Sequence, residues 1–296
     1  MELPSAIVSY PPRAVPLSTW LVVLFGGMFA TLGWIFTGVG LIFVILFAGN
    51  ADFSPWFSFR GTLETAPGII TSSEKTRASE GGSKNHKGTP IFAHHFNFSF
   101  CGTEYSGTSY CTGGGGRDHQ AVTVEFPAGK PKFSRIQGMR RAVFGPEVAF
   151  VFIFPLIGLV FVAASLRTGL KNASLLINGK SAQARNTGKE VTRTRINNRM
   201  VYKVWFEFAD QTGALQNTFT RTSTPEKLEG SVFEQLFYDA TNPTRAILLH
   251  SLPATLTLDE RGRINPCSVG SLIAVLWAPA LAVLFVITSV LIQRTY

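Results

Sequence analysis

HHFNFSFCGTEYSGTSY, residues 94–110, alternates aromatic with polar side chains, breaks around Cys101-Gly102-Thr103, and alternates again. Period-2 alternation on both sides of a short glycine-containing turn predicts two half-buried antiparallel strands joined as a hairpin. YKVWFEFADQTGALQNTFT, residues 202–220, has the same form. Downstream, VTVEFPAGKPKFSRI (122–136) matches FEQLFYDATNPTRAIL (233–248): a strand ends at Phe126 or Tyr238, and Pro131 or Pro243 follows at the same offset. A proline just past a strand removes no ladder bond. Two related small antiparallel β-domains are therefore expected, each of about five or six strands and curled toward a barrel or sandwich. Phe98 and Phe206 are read as equivalent core residues, with Tyr202 and Val204 standing in the second copy for His94 and Phe96.

Outward from these segments the composition changes. The chain is 46% hydrophobic and only 15% charged, and the imbalance is concentrated in three stretches, 20–48, 148–166 and 269–292, that contain no Asp, Glu, Lys, Arg or His. A helix crossing a bilayer needs about 20 such residues. The chain is thus read as a multi-pass α+β membrane protein with three transmembrane helices. Its expected order is an N-terminal segment (1–18), transmembrane helix 1 (19–49), β-domain 1 (50–145), transmembrane helix 2 (146–167), β-domain 2 (168–266) and transmembrane helix 3 (267–293). The first stretch is longer than a signal-peptide core and lacks a clustered basic region before it, so cleavage is not expected.

The turn-linked strand pair, followed by V-x-V-x-F/Y and P/D-x-x-x-P between hydrophobic spans, resembles the bacterial membrane proteins of domain-of-unknown-function family 3592. The resemblance covers both β-segments and their flanking spans. The first copy runs from APGIITSSEK to SRIQGMRR; the second opens on the more divergent INGKSAQARN. It implies an integral protein of the cell inner membrane with two β-domains, and it brings no activity or catalytic residues.

Four consecutive glycines, 113–116, interrupt the strand pattern after Cys111-Thr112. A phosphate-binding loop needs G-x-x-x-x-G-K-[ST] leading into a helix. Here Arg117-Asp118-His119 and then the strand QAVTVEF follow, so the run is read as a loose strand connection. With a turn centred on Gly102-Thr103, Phe100 would face Tyr105, Phe98 Gly107, Phe96 Ser109, and His94 Cys111. Cys101 and Cys111 would then lie at opposite ends of the hairpin, beyond the ~7 Å Cα separation a disulfide allows. Cys267 stands at the mouth of the last span. His94, Cys111 and His119 are the candidate metal or thiol residues, but no C-x-x-C or H-x-x-x-H spacing supports them. No G-x-S-x-G, H-E-x-x-H or paired-carboxylate motif is present. No catalytic, cofactor-binding or metal residue is assigned.

In the first span Gly26, Ala30, Gly33, Thr37 and Gly40 form a narrow small-residue stripe, and Gly270, Ala274, Ala278 and Ala282 recur at steps of four in the third. Such faces let helix backbones approach closely, within the chain or against a membrane partner or a second copy. No ionisable residue lies inside a span, which argues against an ion or proton pathway. Residues 60–141 carry eleven Lys/Arg against six Asp/Glu, and 167–263 fourteen against nine. This modest excess suits anionic headgroups; without a dense basic block, nucleic acid is not expected as a partner. One crossing separates the β-domains, so they are expected on opposite faces, with Pro155 kinking the middle helix. Arg13 before the first span and Asp52 after it lean toward a cytoplasmic N-terminus. The expected function is a non-catalytic, membrane-anchored binding or scaffolding module. The alternatives are a membrane-bound metal-site protein or enzyme using His94, Cys111 and His119, and an accessory subunit of a transport or secretion complex.

Overall fold

The computed structural model describes residues 8–83, 87–114, 116–196, 198–229, 233–253 and 256–295. In chain order they form α1 (Leu17–Phe25), α2 (Met28–Phe47), the short α3 (Ser54–Phe57), β1 (Leu63–Glu80), β2 (Thr89–Phe100), β3 (Thr103–Thr112), β4 (Ala121–Pro127) and β5 (Arg135–Ile136). Then come α4 (Ile153–Asn178), β6 (Lys180–Ile196), β7 (Arg199–Ala209), β8 (Leu215–Thr222), the short α5 (Glu226–Glu229), β9 (Phe233–Tyr238), β10 (Ala246–Leu248) and α6 (Val269–Thr295). The fold is α+β, with two five-stranded antiparallel sheets and three helical segments, Met28–Asn50, Pro146–Asn178 and Val269–Leu291, long and apolar enough to cross a membrane.

Two of those segments differ from expectation. The first stretch is not one helix: Gly26 is extended and Gly27 takes φ +100°, which separates α1 from α2. Only glycine reaches that φ without strain. In the second, a 3-10 helix (Pro146–Phe152) precedes α4, so Pro155 falls in the first turn of α4 and not in mid-helix. A first-turn residue has no intrahelical N–H bond to lose, so the proline needs no kink. Helix α4 also runs on through residues 168–178, which the sequence assigns to the second β-domain.

The sheets run β3-β2-β1-β4-β5 and β10-β9-β6-β7-β8, which is one strand order read from opposite ends. Neither is closed into a barrel. In the first, a single bridge between Tyr110 and Arg140 returns the chain beyond β5 to β3, but no ladder extends from it. Both long strands are bulged twice, at Ile70/Ser72 and Lys75/Ser79 in β1 and at Asn186/Gly188 and Val191/Arg195 in β6. At the second bulge a threonine hydroxyl supplies the bond the ladder has lost: Thr76 Oγ1 donates to the Ile91 carbonyl at 2.8 Å, and Thr192 Oγ1 to that of Val201 at 2.7 Å.

The first hairpin turns on Cys101 and Gly102 at φ 49° and 75°, and Phe100 pairs with Thr103. Two residues at positive φ make the turn whose twist matches paired strands. The predicted turn would have forced β-branched Thr103 into that region. The register is therefore shifted by two from expectation: Phe98 faces Tyr105, Phe96 faces Gly107, and His94 faces Ser109. Ladder positions relative to the bulges then match Phe96 with Phe206 and Phe98 with Phe208, correcting the Phe98–Phe206 equivalence. Each core carries a corresponding aromatic pair, Phe98–Phe126 at 5.6 Å and Phe208–Tyr238 at 5.2 Å.

The chain divides into two compact units, one of Val39–Pro155 with the end of α6, the other of the residues up to Gly38 with Leu156–Leu284. In the first, buried Asp52 ties the exit of α2 to the approach to the Pro146–Phe152 helix: Arg141 N–H donates to its Oδ2 at 2.7 Å, and its own N–H donates to the Phe144 carbonyl at 2.8 Å. In the second, Val23 of α1, Ala173 and Leu176 of α4, and Phe237 of β9 share one core. Arg13, only 5% exposed, donates through Nη1 to the Gly179 carbonyl at 2.6 Å and stacks over Phe237 at 4.6 Å. A residue counted from sequence as a topogenic charge thus also caps the carbonyl end of α4.

The first-span stripe packs within the chain. A Cβ on Gly33 would lie 2.9 Å from the Gly158 carbonyl, and one on Gly40 2.5 Å from Pro155 Cδ. On α6, Ala278 and Ala282 are buried, whereas Gly270 and Ala274 are exposed.

Candidate functional site

Ser73, His94 and Cys111 meet at one end of the first β-core. Ser73 and His94 are ladder partners on β1 and β2, whereas Cys111 lies diagonally across β3, opposite Phe92. Diagonal neighbours on one face remain within side-chain reach, so His94 and Cys111 touch although the predicted pairing was shifted. His94 is fully buried; its Nδ1 lies 2.8 Å from Ser73 Oγ and its Nε2 3.2 Å from Cys111 Sγ. Cys111 Sγ in turn donates to the Gly113 carbonyl at 3.2 Å. With the thiol proton committed there, Nε2–H donates to sulfur and the Ser73 hydroxyl donates to Nδ1, which defines one neutral tautomer.

Gly116 packs against this cluster. A Cβ on Gly116 would lie 2.5 Å from Ile70 Cδ1 and 3.0 Å from His94 Nδ1, whereas one on Gly114 would meet nothing. Gly115 lies outside the described residues. The connection is therefore not merely slack, because its last glycine is fitted against the imidazole. Burial holds the His94 imidazole below the ordinary histidine range; the Asp118 charge opposes this and His95 adds to it. Such a histidine is a poor proton acceptor for a thiol, and the set favours a neutral polar clasp over a thiolate–imidazolium pair.

His119 is not drawn into the cluster. It is exposed, at φ 64°, and its N–H donates to the Ile70 carbonyl at 2.8 Å. Among the described residues no group of three His, Cys, Asp or Glu side chains is arranged to hold a metal. Cys101 is exposed in the turn. Ser73, which completes the cluster, carries no signal in the sequence, because only the bulged register of β1 brings it opposite His94.

The second sheet offers a surface of different character. On β7 and its neighbour β8, an edge strand, Lys203 Nζ sits 3.7 Å from the Trp205 ring centre and 4.2 Å from that of Phe219, and Arg221 lies 5.5 Å from the latter. Trp205 and Phe219 are register partners with ring centres 5.3 Å apart, and Phe219 is 43% exposed. A half-buried Trp205 and an exposed Phe219, flanked by two cations beside an edge strand, are suited to an anionic, extended ligand. The pattern K-V-W opposite F-T-R could have revealed it, since residues two apart on a strand share a face.

No family model matches the chain, and no curated protein matches it. Among solved structures, two chains match. One belongs to a replication protein A heterotrimer bound to ssDNA; it is 11% identical, the match covers 75% of this chain and 53% of that one, and the TM-score is 0.15. This chain thus spans about half the length of that one, and a likeness at that score supports no inference about fold or function.

Proposed function

We propose that the protein is a membrane-anchored, non-catalytic binding module of the bacterial inner membrane, built from a duplicated β-domain and held by three transmembrane helices. The reading rests chiefly on the Lys203–Trp205–Phe219–Arg221 surface, which lies beside the exposed edge of β8. A partner protein with an acidic, extended segment would add to that edge through main-chain bonds, and its carboxylates would meet the two cations. The common strand order, the paired bulges and the repeated threonine bond support the duplication. Buried His94, hydrogen-bonded to half-buried Ser73 and Cys111, supports a structural role over the metal or thiol-enzyme alternative.

Site-specific photo-crosslinking tests this reading. A benzophenone amino acid at Phe219 should give one discrete protein adduct in intact membranes. Thr220→Pro, which blocks strand addition, and the Lys203→Glu/Arg221→Glu pair should each abolish it. An adduct indifferent to both changes, or none at all, would refute binding along β8.

A further inference from the structure

The unit of Val39–Pro155 contains a cleft of about 560 Å³ that the binding surface above does not use. Its size is within the ~300–1,000 Å³ common for small-molecule sites. Phe43 and Phe47 of α2, Phe154 of α4 and Phe144 line its apolar part, with Phe47 and Phe144 at 5.3 Å. Its polar lining side chains are those of Glu80 and Glu147. Arg140 stands between these carboxylates, its Nη1 2.6 Å from Glu80 Oε1 and 3.7 Å from Glu147 Oε1.

The charges do not cancel. Arg140 is fixed by paired backbone bonds to Tyr110 and by Nη2 donating to Thr112 Oγ1 at 3.2 Å. Burial pushes the Glu80 carboxyl up, but hydrogen bonds from Thr112 and Arg140 outweigh it and leave the group below its ordinary range. Glu80 therefore takes up the guanidinium charge. Glu147, with a side chain 67% exposed, keeps most of its own at the mouth. Two carboxylates against one guanidinium leave one net negative charge beside an aromatic cleft where two apolar helices end. That is the depth at which lipid headgroups lie if those helices cross the membrane, so the inference rests on the membrane part of the proposed function.

We propose that this cleft binds a phospholipid with a primary-amine headgroup: the acyl chain lies along the phenylalanines and the ammonium meets Glu147. The amine supplies the missing positive charge, and its three N–H donors suit an exposed carboxylate. A glycerol headgroup carries no cation and would meet Glu147 with like charge from its phosphate.

Native mass spectrometry of the full-length protein in detergent, with phosphatidylethanolamine or phosphatidylglycerol of identical chains, tests this. The first lipid should be retained about tenfold more than the second, a coupling of about 1.4 kcal/mol. Glu147→Gln should abolish the preference, and Val148→Trp, at a partly exposed position lining the cleft, should remove the tightly held lipid while protease resistance is unchanged. Equal retention of both lipids by the wild type would mean only annular contact. A preference that survives Glu147→Gln, or a dimer mass replacing the lipid adducts, would also overturn the proposal. Carbonate extraction separates the two failures: a protein released without detergent contradicts the membrane reading itself, whereas one that stays integral without headgroup preference contradicts only the lipid site.

Discussion

His94 Nε2 lies 3.2 Å from Cys111 Sγ, although His94 faces Ser109 in the ladder. The contact is diagonal, and it places the end of β3 against a buried imidazole on which Gly116 also packs. The glycines are therefore not equivalent. Gly116→Ala should destabilise the first β-domain by about 1–3 kcal/mol, since its Cβ would displace Ile70 or His94. Gly114→Ala, facing open space, should be silent or slightly stabilising. Limited proteolysis of both variants checks this, and equal resistance would mean that the loop does not press on the histidine.

The same burial gives a pH dependence with a defined sign. In the unfolded chain His94 takes up a proton near pH 6.5; in the fold, burial keeps it neutral to lower pH. Between those two values the unfolded chain binds more protons, so the stability contribution is complete above the unfolded pKa and is lost as pH falls through the folded one. Hydrogen exchange of the β2 amides should accelerate from about pH 7.5 to about pH 5.5, once intrinsic rates are divided out. His94→Gln should flatten that trend. Parallel profiles for wild type and variant would assign the pH response to another group.

The corrected register predicts which aromatic residues carry the two cores. Phe96 and Phe206 are both fully buried, and Phe→Ala at either should cost about 3–5 kcal/mol. Asn97, exposed on the other face of β2, should tolerate Ala with little effect. Denaturant midpoints read on each sheet's own protease-cut sites would show it; similar midpoints for Phe96→Ala and Asn97→Ala would refute the facing of β2.

Helix packing should depend on the small-residue stripe. Gly33→Leu would drive a side chain into the Gly158 carbonyl and Val162, each 2.9 Å from where a Cβ on Gly33 would stand, whereas Phe36, 37% exposed, lies off that contact. In a detergent thermal-stability assay Gly33→Leu should unfold well below wild type and Phe36→Leu near it. Matching curves would remove the stripe from helix packing.

What the sequence revealed follows from how each signal arises. Charge-free stretches and period-2 alternation are properties of long windows, so the apolar helices and both sheets were legible. The hairpin slipped by two because a shift of two preserves every residue's face, and alternation alone cannot detect it. The turns differ as well: Cys101-Gly102 closes the first hairpin, whereas a longer loop ordered by Asp210 closes the second, with Thr212 N–H donating to its Oδ1 at 2.8 Å. The break at Gly26-Gly27 was hidden because glycine is also common in continuous membrane helices. Arg13, Ser73 and the Phe47–Phe144 cleft depend on contacts distant in sequence, for which no local pattern exists.

Chain topology is the most direct point of test. Helix α4 has 26 residues, about 39 Å at 1.5 Å per residue, enough to cross a bilayer core once. Its C-terminal end meets Arg13 of the N-terminal segment within one unit, while in the other Asp52 joins the exit of α2 to Arg141. We propose that the N-terminal segment and second sheet share one compartment and the first sheet occupies the other. With Cys101, Cys111 and Cys267 replaced by serine, single cysteines at Ser83 and Thr212 report the two sides; Asn197, the other natural choice, lies outside the described residues. An impermeant maleimide added to intact spheroplasts should label one position and spare the other until the membrane is opened. Labelling of both in sealed cells would mean that α4 does not cross, and would contradict the proposed topology.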